Sequence, residues 1–158
     1  MRTLFALLCA LLLIPSVSAE ELMLPKSLGC GSPTMLLHTM SYHGQTDTKL
    51  TGENGGVGFQ CQDSRTQLKY AVGGFRNGNG DTSLYLGTAR DWKAARRIEL
   101  GGMVGIVTGY AHHESPVLFI GAGRLGFVIN KEQTLRFSLI PHTRYNPRTI
   151  HLTIEGKF

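Results

Sequence analysis

The segment that decides the fold is IHLTIEGKF, residues Ile150 to Phe158. Apolar positions alternate there with polar ones: Ile150, Leu152, Ile154, Gly156 and Phe158 share one face, and His151, Thr153, Glu155 and Lys157 share the other. A period of two is typical of a strand with one apolar and one wet face. An apolar face that ends on an aromatic residue predicts the closing strand of an outer-membrane barrel, whose aromatic side chain lies at the lipid boundary. The alternative is an edge strand of a soluble sandwich.

The other end of the chain predicts export. Residues 1–3 are a short positive region, residues 4–14 are apolar, and residues 17–19 supply the small side chains that a signal peptidase requires. The apolar stretch is shorter than the roughly 20 residues of a membrane-spanning helix. We therefore interpret residues 1–19 as a cleaved signal peptide and residues 20–158 as one β-barrel domain.

The composition of the exported part limits the classes of function. Without Arg2 the chain has fifteen basic and eleven acidic residues, and the basic ones form no run. A surface that follows nucleic-acid phosphates concentrates its charge, so no nucleic-acid partner is expected. All 20 glycines follow the signal peptide. That is about twice the usual glycine frequency and fits the bends and close strand contacts of a small barrel.

Two cysteines remain after the signal peptide, Cys30 and Cys61. An exported chain meets an oxidising compartment, so a disulfide between them is expected. A metal-binding pair or two free thiols are the alternatives.

Eight segments have the composition of β-strands bounded by turn residues, and no segment after residue 20 predicts a long amphipathic helix. Eight strands suit a closed antiparallel barrel, so the predicted fold is all-β, an up-and-down transmembrane β-barrel. The segments are Met35 to His43, Asn54 to Cys61, Thr66 to Arg76, Thr82 to Arg90, Arg97 to Tyr110, Pro116 to Asn130, Gln133 to Ile140 and Ile150 to Phe158.

The connections between these segments fall into two alternating sets: a shorter set, and a set that is mostly longer or richer in turn-breaking residues, which we call the longer set. Outer-membrane barrels have short periplasmic turns and longer outer loops, so both termini are predicted to be periplasmic. Cys30 and Cys61 then fall on the same periplasmic rim. The shorter connections are 62–65, 91–95 and 131–132, and the longer ones are 44–53, 77–81, 111–115 and 141–149.

Both faces of the sixth predicted strand are largely apolar, so a water-filled channel is not expected. Either side chains fill the lumen, or it holds a narrow apolar pocket. In the fifth strand the side chains predicted to face lipid are Leu100, Val104, Ile106 and Tyr110.

The central strands resemble a known family. YAVGGFRN (70–77) and YLGTARDW (85–92) are similar to the third and fourth strands of the lipid A palmitoyltransferases (PagP) of Gram-negative outer membranes. LGGMVGIVT (100–108), PVLFIGAG (116–123) and LRFSLIP (135–141) follow in the same order. The resemblance covers roughly residues 54–158.

The resemblance implies a barrel that moves an acyl chain from a phospholipid to lipid A and needs no cofactor. It places the family's catalytic histidine at His38 or at His43. The family's Asp-Ser pair falls on Asn77-Gly78, so its carboxylate and hydroxyl are absent here. The segment 20–35 is also too short for the family's N-terminal amphipathic helix.

The residues predicted at the outer rim can form a different acyl-transfer site. In it His43 is the base, Asp81 orients it, and Asn77 donates to the oxyanion. The alternative is that these polar residues are only solvated at the rim and have no catalytic role. No metal site is expected, because the adjacent histidines 112 and 113 point apart on a strand. Other polar residues of the same rim are Ser83, His112, His113, His142, Arg144 and Tyr145.

Arg76, Arg144 and Arg148, together with Lys49, are predicted to contact lipid phosphates, or they are ordinary surface charges. The expected partners are outer-membrane lipid (lipopolysaccharide or phospholipid) and, through the closing strand, the outer-membrane assembly machinery. The chain is expected to be a monomer in the outer membrane of a Gram-negative bacterium. Three functions stay open: an enzyme acting on membrane lipid, a non-catalytic surface barrel, or a soluble periplasmic lipid-binding barrel.

Overall fold

A computed structural model describes residues 30–44, 50–110, 116–143 and 147–157 of the chain. The predicted signal peptide and Phe158 lie outside the described residues. Within the described ranges, no helix is long and apolar enough to cross a membrane.

The described residues form a closed antiparallel barrel in which each strand pairs with its neighbours in the chain and β1 pairs with β8. This confirms the predicted all-β fold and its strand number. The strands are β1 (Cys30–His43), β2 (Glu53–Asp63), β3 (Lys69–Arg76), β4 (Thr82–Ala95), β5 (Ile98–Thr108), β6 (Val117–Val128), β7 (Gln133–Ile140) and β8 (Thr149–Lys157).

The two ends of the barrel differ in their connections. One end carries the first residue of β1 and the connections β2–β3, β4–β5 and β6–β7; we call it the short-turn end. The other carries the connections β1–β2, β3–β4, β5–β6 and β7–β8; we call it the long-loop end. Cys30 and Cys61 form the expected disulfide at the short-turn end, with their Cα atoms 5.4 Å apart.

The connection predicted at 91–95 is instead strand. β4 continues to Ala95 and β5 begins at Ile98. The prediction failed because Asp91 suggested a turn, whereas its side chain is inside the barrel, 2.8 Å from Nζ of Lys69.

The turn predicted at 62–65 lies slightly later in the chain. Asp63 closes β2, and its carboxylate accepts hydrogen bonds from the backbone N–H groups of Arg65 at 2.7 Å and Thr66 at 3.0 Å. The hydrogen bonds from Thr66 and Arg65 lower the pKa of the Asp63 carboxyl. Gln67 completes the turn in the left-handed region, with φ of 61°.

The outer surface of the barrel is apolar over its middle and aromatic towards both ends. Phe119 is 90% exposed and Tyr42 is 72% exposed towards the long-loop end, and Trp92 is 55% exposed at the short-turn end. Bands of this kind are typical of membrane barrels. Further exposed side chains of this surface are Val57, Tyr70, Val72, Leu84, Leu86, Leu100, Val104, Phe127, Leu139 and Ile150.

Tyr110 does not face outward as predicted. It packs against the buried cluster of Leu36, Tyr85 and Val107. The strand ends at Thr108, and Gly109 has a φ of 85°, which interrupts the alternation before Tyr110.

Candidate functional site

Six charged side chains fill the lumen near the short-turn end. We call them the ion cluster: Lys69, Asp91, Glu99, Arg124, Arg136 and Glu155. Their formal charges cancel. Most of their side chains are almost fully buried, so the cluster replaces water with mutual ion pairs.

Arg136 is the centre of the ion cluster. Its Nε lies 3.0 Å from Oε1 of Glu155 and its Nη2 lies 2.7 Å from Oε2, a two-point contact. The same Nη2 lies 2.8 Å from Glu99 and 3.4 Å from Asp91. Arg124 makes a second contact to Glu155. With the contact of Lys69 to Asp91, the cluster closes the lumen by linking β3, β4, β5, β6, β7 and β8.

Beyond the ion cluster, towards the long-loop end, the lumen contains a cavity of about 820 Å³. This volume lies within the roughly 300–1,000 Å³ of small-molecule sites. The two alternatives for the lumen therefore both occur in this barrel. Side chains fill the lumen near the short-turn end, and a pocket lies further towards the long-loop end.

The cavity has an apolar wall and a polar wall. The apolar wall is formed by β3, β4, β5 and β6, and the polar wall by β7, β8, β1 and β2. Residues of the apolar wall include Ala71, Phe75, Ala89, Met103, Val107, Leu118, Ile120 and Ala122. Those of the polar wall include His38, Ser41, His43, Ser138, Thr149, His151 and Thr153.

Four polar side chains form a continuous chain of hydrogen bonds along this cavity, which we call the Ser41–Tyr85 chain. Ser41 Oγ lies 2.7 Å from Nδ1 of His151, and Nε2 of His151 lies 2.8 Å from Nδ1 of His38. Nε2 of His38 lies 2.9 Å from the Tyr85 hydroxyl. Because each imidazole has a partner at both nitrogens, the orientations of both rings are constrained.

A β-bulge in β1 brings Ser41 onto the same face as His38. His38 and Met40 pair with consecutive residues of β8, so Thr39 between them is an extra residue. The Thr39 hydroxyl donates to the Leu152 carbonyl oxygen at 3.0 Å. The bulge shifts the alternation by one position, so Ser41 faces the lumen, whereas strict alternation from His38 would turn it outward.

His43 lies at the long-loop end of the cavity. Its Nδ1 is 3.1 Å from Oγ1 of Thr149, and that hydroxyl donates its own proton to the Pro147 carbonyl at 3.0 Å, so Nδ1 is the donor to Thr149. Nε2 of the neutral ring then has a lone pair, is buried, and has no hydrogen-bond partner among the described residues. The predicted role of His43 as a base stays a prediction.

Asn77 organises the β3–β4 connection. It is fully buried, and its amide nitrogen donates to Ser83 at 3.0 Å and to the Gly109 carbonyl at 2.7 Å. Its amide oxygen accepts from the N–H groups of Asn79 at 3.0 Å and Asp81 at 3.1 Å. These bonds occupy the amide within the turn, and the predicted donation to an oxyanion would require breaking one of them.

Asp81 is exposed. Within the described residues no hydrogen bond or ion pair joins its carboxylate to His43. The predicted roles of Asn77 and Asp81 therefore stay predictions, and the structure does not bring these two side chains together with His43.

The predicted phosphate-binding arginines are described in part. Arg76 and Arg148 are exposed at the long-loop end, and neither takes part in an ion pair within the described ranges. The Arg76 guanidinium donates to the Gly80 carbonyl at 3.0 Å. Arg144 lies outside the described residues, as do Lys49, His112, His113 and Tyr145. Among the residues that are described, no group of three or more His, Cys, Asp or Glu side chains is arranged to hold a metal ion.

Sequence reasoning did not single out Ser41, His151 or Tyr85. A signal for two of them was present. His151 lies on the wet face of the closing strand, and in a barrel with an apolar exterior the wet face is the lumen. Ser41 is two residues before His43 and therefore shares its face.

The fold is similar to a solved structure, the backbone structure of the Yersinia pestis outer membrane protein Ail in a phospholipid bilayer nanodisc. The two chains are 12% identical with a TM-score of 0.52, over 81% of this chain and 99% of the Ail chain. No family model matches this chain, and no curated protein matches it either. At this identity the similarity concerns the fold, and the resemblance to the palmitoyltransferases stays a prediction.

Proposed function

We propose that the chain is an outer-membrane barrel that binds an acyl chain of an outer-leaflet lipid in its lumen. The observation that carries the proposal is the cavity of about 820 Å³ with one apolar and one polar wall. Eight-stranded barrels are just wide enough for side chains to fill them, so an unfilled volume of this size favours a ligand.

The shape of the cavity supports an amphiphile as the ligand. Leu118 and Ile120 of the apolar wall offer contacts to methylene groups, while Ser41 and His151 of the opposite wall offer hydrogen bonds to an ester. The ion cluster closes the cavity on one side, so the ligand enters from the long-loop end.

Membrane residence is supported by the exterior of the barrel. Its middle is apolar and its aromatic side chains lie towards the two ends, as lipid contact requires. The similarity in fold to an outer membrane protein agrees with this location. Arg76 and Arg148, at the end where the ligand enters, are suited to lipid phosphates.

Photocrosslinking tests the lipid site. The purified barrel, in bilayers of stated composition, receives a phospholipid or a lipid A molecule that carries a photoreactive acyl chain. Peptide mass spectrometry is expected to find adducts on lumen residues such as Met103 and Ile120. The two lipids form separate arms, so the arm that yields lumen adducts identifies the source of the chain.

A pair of variants makes this test specific. Ala122→Phe fills the cavity and is expected to lower the yield of lumen adducts about tenfold or more, because overpacking opposes the ligand. Val104→Phe adds the same ring on the outer face, where Val104 is 60% exposed, and is expected to leave the lumen adducts unchanged. Equal yields from both variants would show that the cavity is not the binding site.

A non-catalytic surface barrel is the second candidate. It is favoured by Asn77-Gly78 at the position of the family's Asp-Ser pair and by the commitment of the Asn77 amide to its own turn. Absence of lumen adducts in both lipid arms, with normal outer-membrane insertion, would favour this function.

A further inference from the structure

We propose that Ser41 and His151 form a nucleophile and base that hydrolyse an ester of the bound lipid. This inference rests on the proposed function, because its substrate is the lipid whose acyl chain occupies the cavity. The chemical class of substrate is a long-chain carboxylic ester, and the second reactant is water.

The geometry of the pair carries the proposal. Ser41 Oγ and His151 Nδ1 are 2.7 Å apart, within the range at which a hydroxyl transfers its proton to an imidazole. The two residues pair directly across β1 and β8, so backbone hydrogen bonds of the barrel hold them in place. Both side chains line the cavity.

A purely structural role explains this pair less well than it explains the ion cluster. Polar groups inside a barrel must satisfy one another, and the ion cluster does so while filling its part of the lumen. The Ser41–Tyr85 chain instead faces open volume on one side.

The proposed reaction has two steps. First, Ser41 Oγ attacks the ester carbon while its proton moves to Nδ1 of His151; the bond to the alcohol oxygen breaks, and His151 returns the proton to that oxygen. Second, water loses a proton to His151 and attacks the acyl group on Ser41. The carboxylic acid leaves, and Ser41 recovers its proton. The net reaction is ester plus water to acid plus alcohol.

His38 and Tyr85 are positioning residues in this scheme. When Ser41 donates to His151, Nε2–H of His151 donates to His38, and Nε2–H of His38 donates to the Tyr85 oxygen. His38 thus keeps Nδ1 of His151 free to accept the serine proton, as the third member of a triad does.

Covalent labelling tests the nucleophile without requiring turnover. The refolded full-length barrel is treated with a fluorophosphonate that carries a long alkyl chain. Ser41 Oγ is expected to displace fluoride and form a phosphonate ester, which peptide mass spectrometry locates. Labelling is expected to disappear in Ser41→Ala and to fall about 100-fold or more in His151→Gln, which lacks the base. Ser64→Ala removes an exposed serine of the β2–β3 connection and is expected to label normally.

The positioning role has a separate readout. With a long-chain p-nitrophenyl ester, His38→Gln is expected to lower kcat about 100-fold and to leave KM unchanged, since His38 orients the base without holding the acyl chain. A rise in KM with unchanged kcat would contradict the positioning role.

The outcomes distinguish this inference from the proposed function. Adducts on Ser41 together with photocrosslinked acyl chains support both. Photocrosslinked chains with no Ser41 adduct, in a protein that keeps its heat-modifiable migration on a gel, overturn the hydrolytic site and leave the lipid-binding function standing. Absence of photocrosslinked chains in both lipid arms overturns the proposed function, and this inference with it.

Discussion

At the scale of single residues, the Tyr85 hydroxyl occupies the most tightly packed position of the candidate site. The hydroxyl lies against Gly58 of β2 and Gly73 of β3, which pair directly with each other. A side-chain carbon built at Gly58 would collide with the hydroxyl, and one at Gly73 would come within 2.7 Å of it. Tyr85 therefore reaches His38 only because neither neighbour has a side chain.

We predict that Gly58→Ala displaces the Tyr85 ring and lowers the free energy of unfolding by about 1–3 kcal/mol, the usual cost of overpacking. The measurement is the urea midpoint of unfolding in detergent, followed by heat-modifiable migration. Gly156→Ala is the matched control, because a side-chain carbon at Gly156 meets no atom within 4 Å. Equal midpoints for the two variants would contradict the close packing of the Tyr85 hydroxyl.

At the scale of elements, β8 supplies the carboxylate that holds three strands together. Glu155 pairs with Arg136 of β7 and with Arg124 of β6, and its side chain is only 6% exposed. Glu99 also pairs with Arg136, but its side chain is 28% exposed, so water solvates part of its charge. Loss of the Glu155 carboxylate therefore leaves more buried positive charge unpaired than loss of the Glu99 carboxylate does.

We predict that Glu155→Gln lowers the free energy of unfolding by about 3–5 kcal/mol, because two buried guanidinium groups lose their principal partner. Glu99→Gln is the control and is expected to cost about 1 kcal/mol or less. Urea midpoints of the two refolded barrels make the comparison. A smaller loss for Glu155→Gln than for Glu99→Gln would show that the ion cluster is arranged differently.

At the scale of the whole molecule, we predict that the proposed membrane residence requires assembly through the closing strand. Phe158 lies outside the described residues, and its role in assembly remains a prediction from the sequence. Gly156 precedes it on the same face, where a second aromatic residue is common in barrels, so Phe158 is expected to carry most of the signal. We predict that Phe158→Ser reduces the amount of barrel recovered in the outer-membrane fraction.

Cell fractionation checks this prediction, with heat-modifiable migration as the measure of folded barrel. Lys157→Ser, a change at the neighbouring position on the other face, is the control and is expected to insert normally. Unchanged insertion of Phe158→Ser would show that the assembly signal lies elsewhere. Recovery of the unaltered protein in the soluble periplasm would contradict the membrane location itself.

Local patterns in the sequence determined the barrel. Alternation along Ile150 to Phe158 and along the other strands predicted the strands and their faces, because side-chain direction in a strand depends only on the parity of the position. Turn residues predicted most connections, and two cysteines in a chain predicted to be exported indicated their disulfide. Alternation predicted the wrong face only where a local irregularity interrupted the strand, as Gly109 does before Tyr110.

The candidate site was determined by the tertiary structure. Strict alternation separates His38 from Ser41, and only the bulge at Thr39 places both in the lumen. The partners of Arg136 and the cavity likewise depend on which strands are adjacent and how far they are staggered, which a single strand does not encode. Sequence reasoning therefore found His38 and His43 but not Ser41 and His151, because a hydrogen bond between the two ends of a chain exists only after the barrel has closed.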